Sequence, residues 1–180
     1  MKAVLCRAFG PPSGLTVEEV PAPGPGPGQV LIRVEASAVN FPDTLIIQGW
    51  YQTRPPLPFS PGGEVAGVVA GLGEGVSGPV PGTRVLAMTS HGGFAEMAVA
   101  PAEAAVEVPE GVDSVTAAAL SYAYGTTFYA LRDRARLRPG ETVLVLGAAG
   151  GAGLAAVQLA KLMGARVIAA ASAGKLETCR

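Results

Sequence analysis

Residues 142–172 read TVLVLGAAGGAGLAAVQLAKLMGARVIAAAS, and this stretch decides the fold. Its opening run, Val143 to Leu146, is wholly apolar, as expected of a parallel strand buried on both faces. Small residues follow, Gly147-Ala148-Ala149-Gly150-Gly151-Ala152-Gly153, and then a helical pattern to about Met163. Gly164 stands where a left-handed C-cap belongs, and Arg166 to Ala171 reads as a second buried strand. The result is one β-α-β unit with a phosphate-cradling turn at its first βα junction. Turn glycines let the backbone close on a pyrophosphate, while the free N–H groups and dipole of the helix N-terminus hold its charge. The stretch predicts a dinucleotide site whose phosphate-binding residues are Ala149, Gly150, Gly151 and Ala152.

The motif is imperfect. Against Gly-x-Gly-x-x-Gly, the run from Ala148 to Gly153 supplies the second and third glycines and an alanine in place of the first. Context strengthens it: a strand before, a helix after and a second strand next, at the right total length. The competing reading is a glycine-rich turn that only packs a helix tightly on a sheet. The end of the second strand bears on the choice of cofactor. An Asp or Glu there would bind the ribose 2′-hydroxyl of NAD. Ser172 occupies that position, with Lys175 three residues on. A serine hydroxyl hydrogen-bonds a 2′-phosphate and a lysine adds charge, so NADPH is favoured over NADH. The alternative is a solvated loop serine and lysine.

At 180 residues, 49% hydrophobic and 15% charged, the chain has enough apolar material for a real core. A net charge of −1 gives no footprint for nucleic acid or anionic membranes. The N-terminus lacks the apolar core of a secretory signal. The apolar stretch from Val143 to Ala160 is interrupted by glycines and Gln158, so it does not read as a membrane span. Cys6 and Cys179 lie at opposite ends without a partner motif, which fits a reduced, cytoplasmic setting.

Before residue 114 the texture is that of short strands. Residues 2–9, Leu15–Val20, Val30–Ala38, Gly62–Leu72, the run after Pro81, Gly92–Val99 and Ala105–Val108 read as strands separated by turn signals. Pro21 to Gly28 alternates proline with small residues and cannot be helix or central strand; a linker and a long rigid loop both fit. Asn40-Phe41-Pro42-Asp43 opens a short helix reaching Gln48. Trp50 to Pro61 is a proline-punctuated aromatic loop able to wall a pocket. These signals predict a small closed all-β unit over about 1–112. From 113 to 180 the pattern turns helical and then α/β, with Ser114 as a plausible N-cap for Val115–Tyr122 and a second helix over Gly125–Arg134.

Several stretches, in this order along the chain, resemble the medium-chain dehydrogenase/reductase superfamily, and within it the zinc-free quinone oxidoreductase branch to which zeta-crystallin belongs. They are Val39-Asn40-Phe41-Pro42-Asp43, Pro61 to Gly67, Gly92-Gly93-Phe94-Ala95-Glu96, Pro139 to Val143, the Ala148–Gly153 turn and Gln158-Leu159-Ala160-Lys161. The resemblance implies a GroES-like β-barrel over 1–112 and the first β-α-β of a Rossmann NADP-binding domain within 113–180. It implies a hydride-transferring reductase acting on a quinone or another activated enone, with enoyl thioesters as an alternative acceptor and a non-catalytic NADPH-binding role as another. Asn40, Thr127 and Tyr129 would contact the cofactor and Tyr51 would line the acceptor pocket, so that Asn40 and Tyr51 stand nearest the chemistry. Bland readings stay open for these residues: Asn40 as a helix cap, Thr127 and Tyr129 as packing. Glu64 reads as a buried structural carboxylate.

The superfamily's zinc enzymes carry Cys where Asn40 stands and His where Gly63 stands. With both replaced and His91 the only histidine, no metal is expected. Relatives of this kind are much longer, so the chain is expected to be a piece of a longer protein that is a homo-oligomer at full length.

Overall fold

The computed structural model describes residues 1–180, and they divide into two compact units, Met1–Ala119 and Leu120–Arg180. In the first, β1 (Lys2–Leu5) pairs antiparallel with β2 (Thr16–Glu19). A five-stranded antiparallel sheet is formed by β3 (Gln29–Ser37), β4 (Glu64–Leu72), β5 (Arg84–Met88), β6 (Met97–Pro101) and β7 (Ala105–Glu107), in the order β6-β3-β4-β5-β7. The alternation seen in the sequence of β3 is its burial: Val30 and Ile32 are fully buried, and they pack with Val65, Val69, Val85, Ala98 and Ala100. This is the core of the β-unit expected over the first part of the chain. The β1–β2 pair joins the sheet through a bridge from Ala3 to Ala95, and a second bridge ties Cys6 to Phe59. These contacts are isolated bridges, at Ala3 within β1 and at Cys6 just after it, rather than one continuous ladder.

The Pro21–Gly28 segment lies inside this unit as a loop between β2 and β3. It is pinned where the Gly26 N–H donates to Gln29 Oε1 (2.9 Å) and the Gly28 N–H to the Glu74 carbonyl (2.8 Å). Helix α1 (Phe41–Ile46) is shorter than expected and tucks Ile46 and Ile47 against Cys6 and Phe59. Helix α2 (Ser114–Ala118) also belongs here, with Ala117 and Ala118 buried against Ala66 and Val108. Its N-cap is Asp113 and not Ser114: the Asp113 carboxylate accepts from the Thr116 N–H at 2.8 Å. Ser114 instead donates its hydroxyl to Glu35 Oε2 at 2.7 Å, docking the helix on β3. A carboxylate fills the cap better than a hydroxyl that has a charged acceptor of its own.

In the second unit, the helix expected over Gly125–Arg134 is part of a longer wound run that starts at Ser121, while the helix expected over Val115–Tyr122 ends early as α2. π-helical turns at Ser121–Gly125 and Tyr129–Arg134 flank the short α3 (Thr126–Phe128). The wide turns show in bonds five residues apart, Gly125 N–H to Leu120 and Ala135 N–H to Ala130. Then β8 (Thr142–Leu146), α4 (Gly151–Leu162) and β9 (Arg166–Ala170) form the β-α-β unit, with β8 and β9 parallel. Helix α4 ends in a Schellman motif: Gly164 is left-handed (φ 79°), its N–H donates to Lys161 and that of Ala165 to Ala160.

The strands of this unit depart from expectation. Val145 is buried with Ala148 and Val157, but Leu144 and Leu146 are 59% and 76% exposed and Ile168 is 46% exposed. Apolar runs signalled burial on both faces, whereas α4 covers only one. No helix is long and apolar enough to cross a membrane.

The turn between β8 and α4 depends on Gly153. A β-carbon there would lie 2.2 Å from the Gly147 carbonyl oxygen and 2.8 Å from Ala148 Cα, both backbone atoms that cannot step aside, whereas one on Gly151 would meet nothing within 4 Å. Gly153→Ala is therefore expected to destabilise the second unit by about 1–3 kcal/mol. Gly151→Ala should leave stability unchanged or raise it slightly, as Ala replaces Gly in a helix. Denaturation followed by far-UV circular dichroism checks the pair, and equal effects would contradict this role for Gly153.

Candidate functional site

In the second unit, the expected phosphate turn and the residues thought to choose the cofactor line one cleft. A cavity of about 290 Å³ is walled by Gly147, Ala149, Gly150, Ala171, Ser172 and Lys175. Gly147 is left-handed (φ 67°), and the chain turns there so that the Gly150 N–H returns to the Gly147 carbonyl at 2.9 Å. The Ala148 N–H donates to Ala170 at 3.0 Å, stitching the turn to the end of β9. Ala148 is fully buried with Val145 and Val157, so its methyl is used in the core. Gly151 and Ala152 do not line the cleft; they form the first turn of α4. Thr127 is buried and donates its hydroxyl to the Ala152 carbonyl at 3.3 Å, tying α3 to that turn. Tyr129 is half exposed. Tyr124, which the sequence did not single out, donates to Gln158 Oε1 at 2.5 Å and braces the same helix.

The residues present fit a dinucleotide phosphate group. The cavity lining brings together the glycine backbone of Gly147 and Gly150, the latter the N-cap of α4, with the Ser172 hydroxyl and the Lys175 ammonium.

The first unit places Asn40 in a cluster of buried polar groups. Asn40 precedes α1 in extended conformation (φ −114°, ψ 158°). Its backbone N–H donates to Asp43 Oδ2 at 2.7 Å, the reciprocal half of a capping box. Its side-chain Nδ2 donates to Glu64 Oε1 at 2.9 Å. Both carboxylates are buried, Asp43 at 4% and Glu64 at 1% exposure. Asp43 also accepts from the N–H groups of Gly62 and Gly63, drawing the loop ahead of β4 onto α1. Burial raises the Asp43 carboxyl above its ordinary value, and the backbone donors of Asn40, Gly62 and Gly63 offset part of the shift.

Gly62 has a positive φ of 96°, and a β-carbon on it would meet the Phe94 N–H nitrogen at 2.7 Å. The cluster is continued by Thr89, whose hydroxyl donates to the Gly62 carbonyl (2.9 Å) and whose N–H donates to Gly63 (2.9 Å). Tyr51 is not in this cluster. It packs half-buried against Cys6, Ile46, Ile47 and Phe59. His91 is exposed and lies edge-on to Phe59, with partial burial lowering its pKa. No group of three or more His, Cys, Asp or Glu is arranged to hold a metal ion.

Sequence reasoning placed Asn40 and Asp43 together at the start of one short helix and Glu64 in a separate motif. The signal that joined them was available in part: two acidic residues in otherwise apolar or glycine-rich stretches, each in need of donors once buried. The roles of the Gly62 and Gly63 N–H groups are backbone properties that residue identity does not report.

Comparison with known proteins defines the class. Residues 26–110 match the alcohol dehydrogenase GroES-like domain. The chain belongs to the medium-chain dehydrogenase/reductase superfamily, among relatives of the quinone oxidoreductase, zeta-crystallin-like type. It is 42% identical over 180 residues to quinone oxidoreductase-like protein 2 of Rattus norvegicus, covering 99% of this chain and 50% of that protein. The solved quinone oxidoreductase of Thermus thermophilus, described with its NADPH complex, is 41% identical with a TM-score of 0.86, over 99% of this chain and 56% of that one. A mycobacterial protein solved in complex with NADPH is 37% identical with a TM-score of 0.92, over 99% and 56%. The chain thus spans about half the length of the relatives it matches.

Asp43 offers a test of the first-unit cluster. Its folded pKa is raised, so folding favours the protonated form. That contribution is complete below the ordinary value of 3.8 and is lost as pH rises through the folded value. Asp43→Asn removes the titration. The melting temperature of the wild type relative to Asp43→Asn should therefore fall as pH rises from below 3.8 toward neutrality. A difference that stays flat or grows contradicts the shift.

Proposed function

We propose that the protein is an NADPH-dependent oxidoreductase that reduces a quinone or another activated enone without zinc. The observation that carries this reading is the cleft of the second unit, where Ser172 and Lys175 share walls with Gly147, Ala149 and Gly150. A carboxylate at the end of β9 would select a free 2′-hydroxyl; a hydroxyl and a cation suit a 2′-phosphate. Two of the similar solved structures are NADPH complexes, which supports the same choice.

Each residue has a task in this proposal. Ala149 and Gly150 hold the pyrophosphate at the cleft wall, and Gly151 and Ala152, in the first turn of α4 behind it, contribute the dipole and free N–H groups of the helix N-terminus. Thr127 keeps that turn in place and, with Tyr129, meets the cofactor beyond its phosphates. Ser172 and Lys175 hold the 2′-phosphate. Asn40 orients the reacting end through its amide, and Tyr51 lines the acceptor pocket. Bound NADPH supplies the hydride. An acceptor that is already electron-poor needs no Lewis acid, so orientation and exclusion of water are the protein's contribution. Zinc independence is supported by the donor set: Asn40 and Gly63 stand where the zinc enzymes' Cys and His are expected. The proposed substrate is a small molecule.

The test is a titration of nicotinamide fluorescence for wild type and Ser172→Asp, followed by NADPH oxidation assays with 1,4-naphthoquinone and crotonyl-CoA. Placing a carboxylate beside the 2′-phosphate should weaken NADPH binding by about tenfold or more, equivalent to about 1.4 kcal/mol, with NADH binding unchanged or improved. Turnover with the quinone and not the thioester supports the acceptor proposed here. Equal affinity of the wild type for NADPH and NADH contradicts the cofactor choice.

A further inference from the structure

Asn40 is held by two buried carboxylates, one on its backbone and one on its side chain. The Asp43 bond fixes where the residue starts α1, and the Glu64 bond fixes which way its amide faces. The bond runs from the Nδ2 end of the amide to Glu64 Oε1, so the nitrogen end is the one turned to the carboxyl group. Glu64 is a rigid partner for this purpose. It begins β4, it is 1% exposed, and its own carbonyl accepts the Ser37 hydroxyl at 2.9 Å. The Cα register pairs it with Met88 of β5. An amide is nearly symmetric in shape; the Glu64 bond fixes its nitrogen end, while the capping box draws its oxygen end toward the Asp43 N–H.

We infer that Glu64 is a positioning residue that locks the Asn40 amide with its nitrogen inward, so that Asn40 meets a bound reactant as a hydrogen-bond acceptor for an N–H or O–H group. The inference rests on the reading of Asn40 as a cofactor contact. Groups of that kind on the reduced dinucleotide are the carboxamide NH₂ and the ribose hydroxyls. A purely structural Glu64 would support the strand and leave the amide's direction without consequence.

The sequence provides an unusually clean probe, because Asn40 is the only asparagine in the chain. Protein labelled with ¹⁵N at asparagine therefore gives a single side-chain NH₂ signal. In the free protein one of its two protons should be shifted downfield by the carboxylate. Glu64→Gln should collapse that separation and weaken NADPH binding by about tenfold, the scale of a lost hydrogen bond to a charged group. Glu64→Asp keeps the charge but withdraws the oxygens by one methylene. It should show the same loss in milder form, and it serves if Glu64→Gln does not fold. Ser37→Ala removes a neighbouring structural bond and should lower the melting temperature while leaving the Asn40 signal in place.

An Asn40 signal unchanged in both Glu64 variants overturns the inference. So does a collapsed signal with NADPH affinity equal to wild type. If NADPH binds the wild type without moving the Asn40 signal, the cofactor contact itself fails, and the role of Glu64 toward it falls with that contact. The signal in the free protein distinguishes this last failure from the first.

Discussion

The Gly147 carbonyl oxygen occupies the space a β-carbon on residue 153 would need, 2.2 Å from its position. The packing of the β8–α4 turn depends on allowing that approach. Because α4 can press its first turn onto the end of β8, Ala148 is drawn into the core beside Val145 and Val157. The Ala148 N–H then reaches the end of β9 at Ala170, and Ser172 is carried to the same cleft as Gly150. A tight helix–strand junction and the proposed phosphate cradle are thus one arrangement. The packing reading and the binding reading of these glycines are not rivals.

The first unit is organised by a different constraint, the need to satisfy buried charge. Asp43 and Glu64 are both removed from water, and they draw donors from Asn40 and from the loop glycines Gly62 and Gly63. Burying a carboxylate without donors costs several kcal/mol, so this wiring holds α1 and the loop ahead of β4 to one geometry. Thr89 and the Phe94 backbone then close around Gly62 from the β5 and β6 side. An amide placed by such a network is preorganised, which is what orientation of a reactant demands.

Much of this was legible in the residues. The β-α-β unit, the left-handed Gly164, the strand pattern of the barrel and the short helix after Asn40 follow from periodicity and turn chemistry, which are local. What was not legible depends on partners distant in sequence. Leu144, Leu146 and Ile168 look buried because they are apolar, yet burial depends on what covers the sheet. Ser114 looks like a cap until Glu35, far away in the chain, takes its hydroxyl. The bonds of the helical run to α4, Thr127 to Ala152 and Tyr124 to Gln158, likewise join residues far apart in the chain. The Asn40–Glu64 bond joins two motifs that the sequence shows separately.

The central claim is that the cleft at the β8–α4 turn holds the phosphates of a 2′-phosphorylated dinucleotide. Calorimetric titration with 2′-phospho-ADP-ribose and with ADP-ribose tests it most directly, since neither ligand carries the nicotinamide and both address only the second unit's cleft. The account predicts saturable binding of both, tighter by about tenfold or more for the 2′-phosphorylated ligand, a margin set by the hydroxyl and ammonium of Ser172 and Lys175. Equal affinities, or no binding of either by the folded chain, would contradict it.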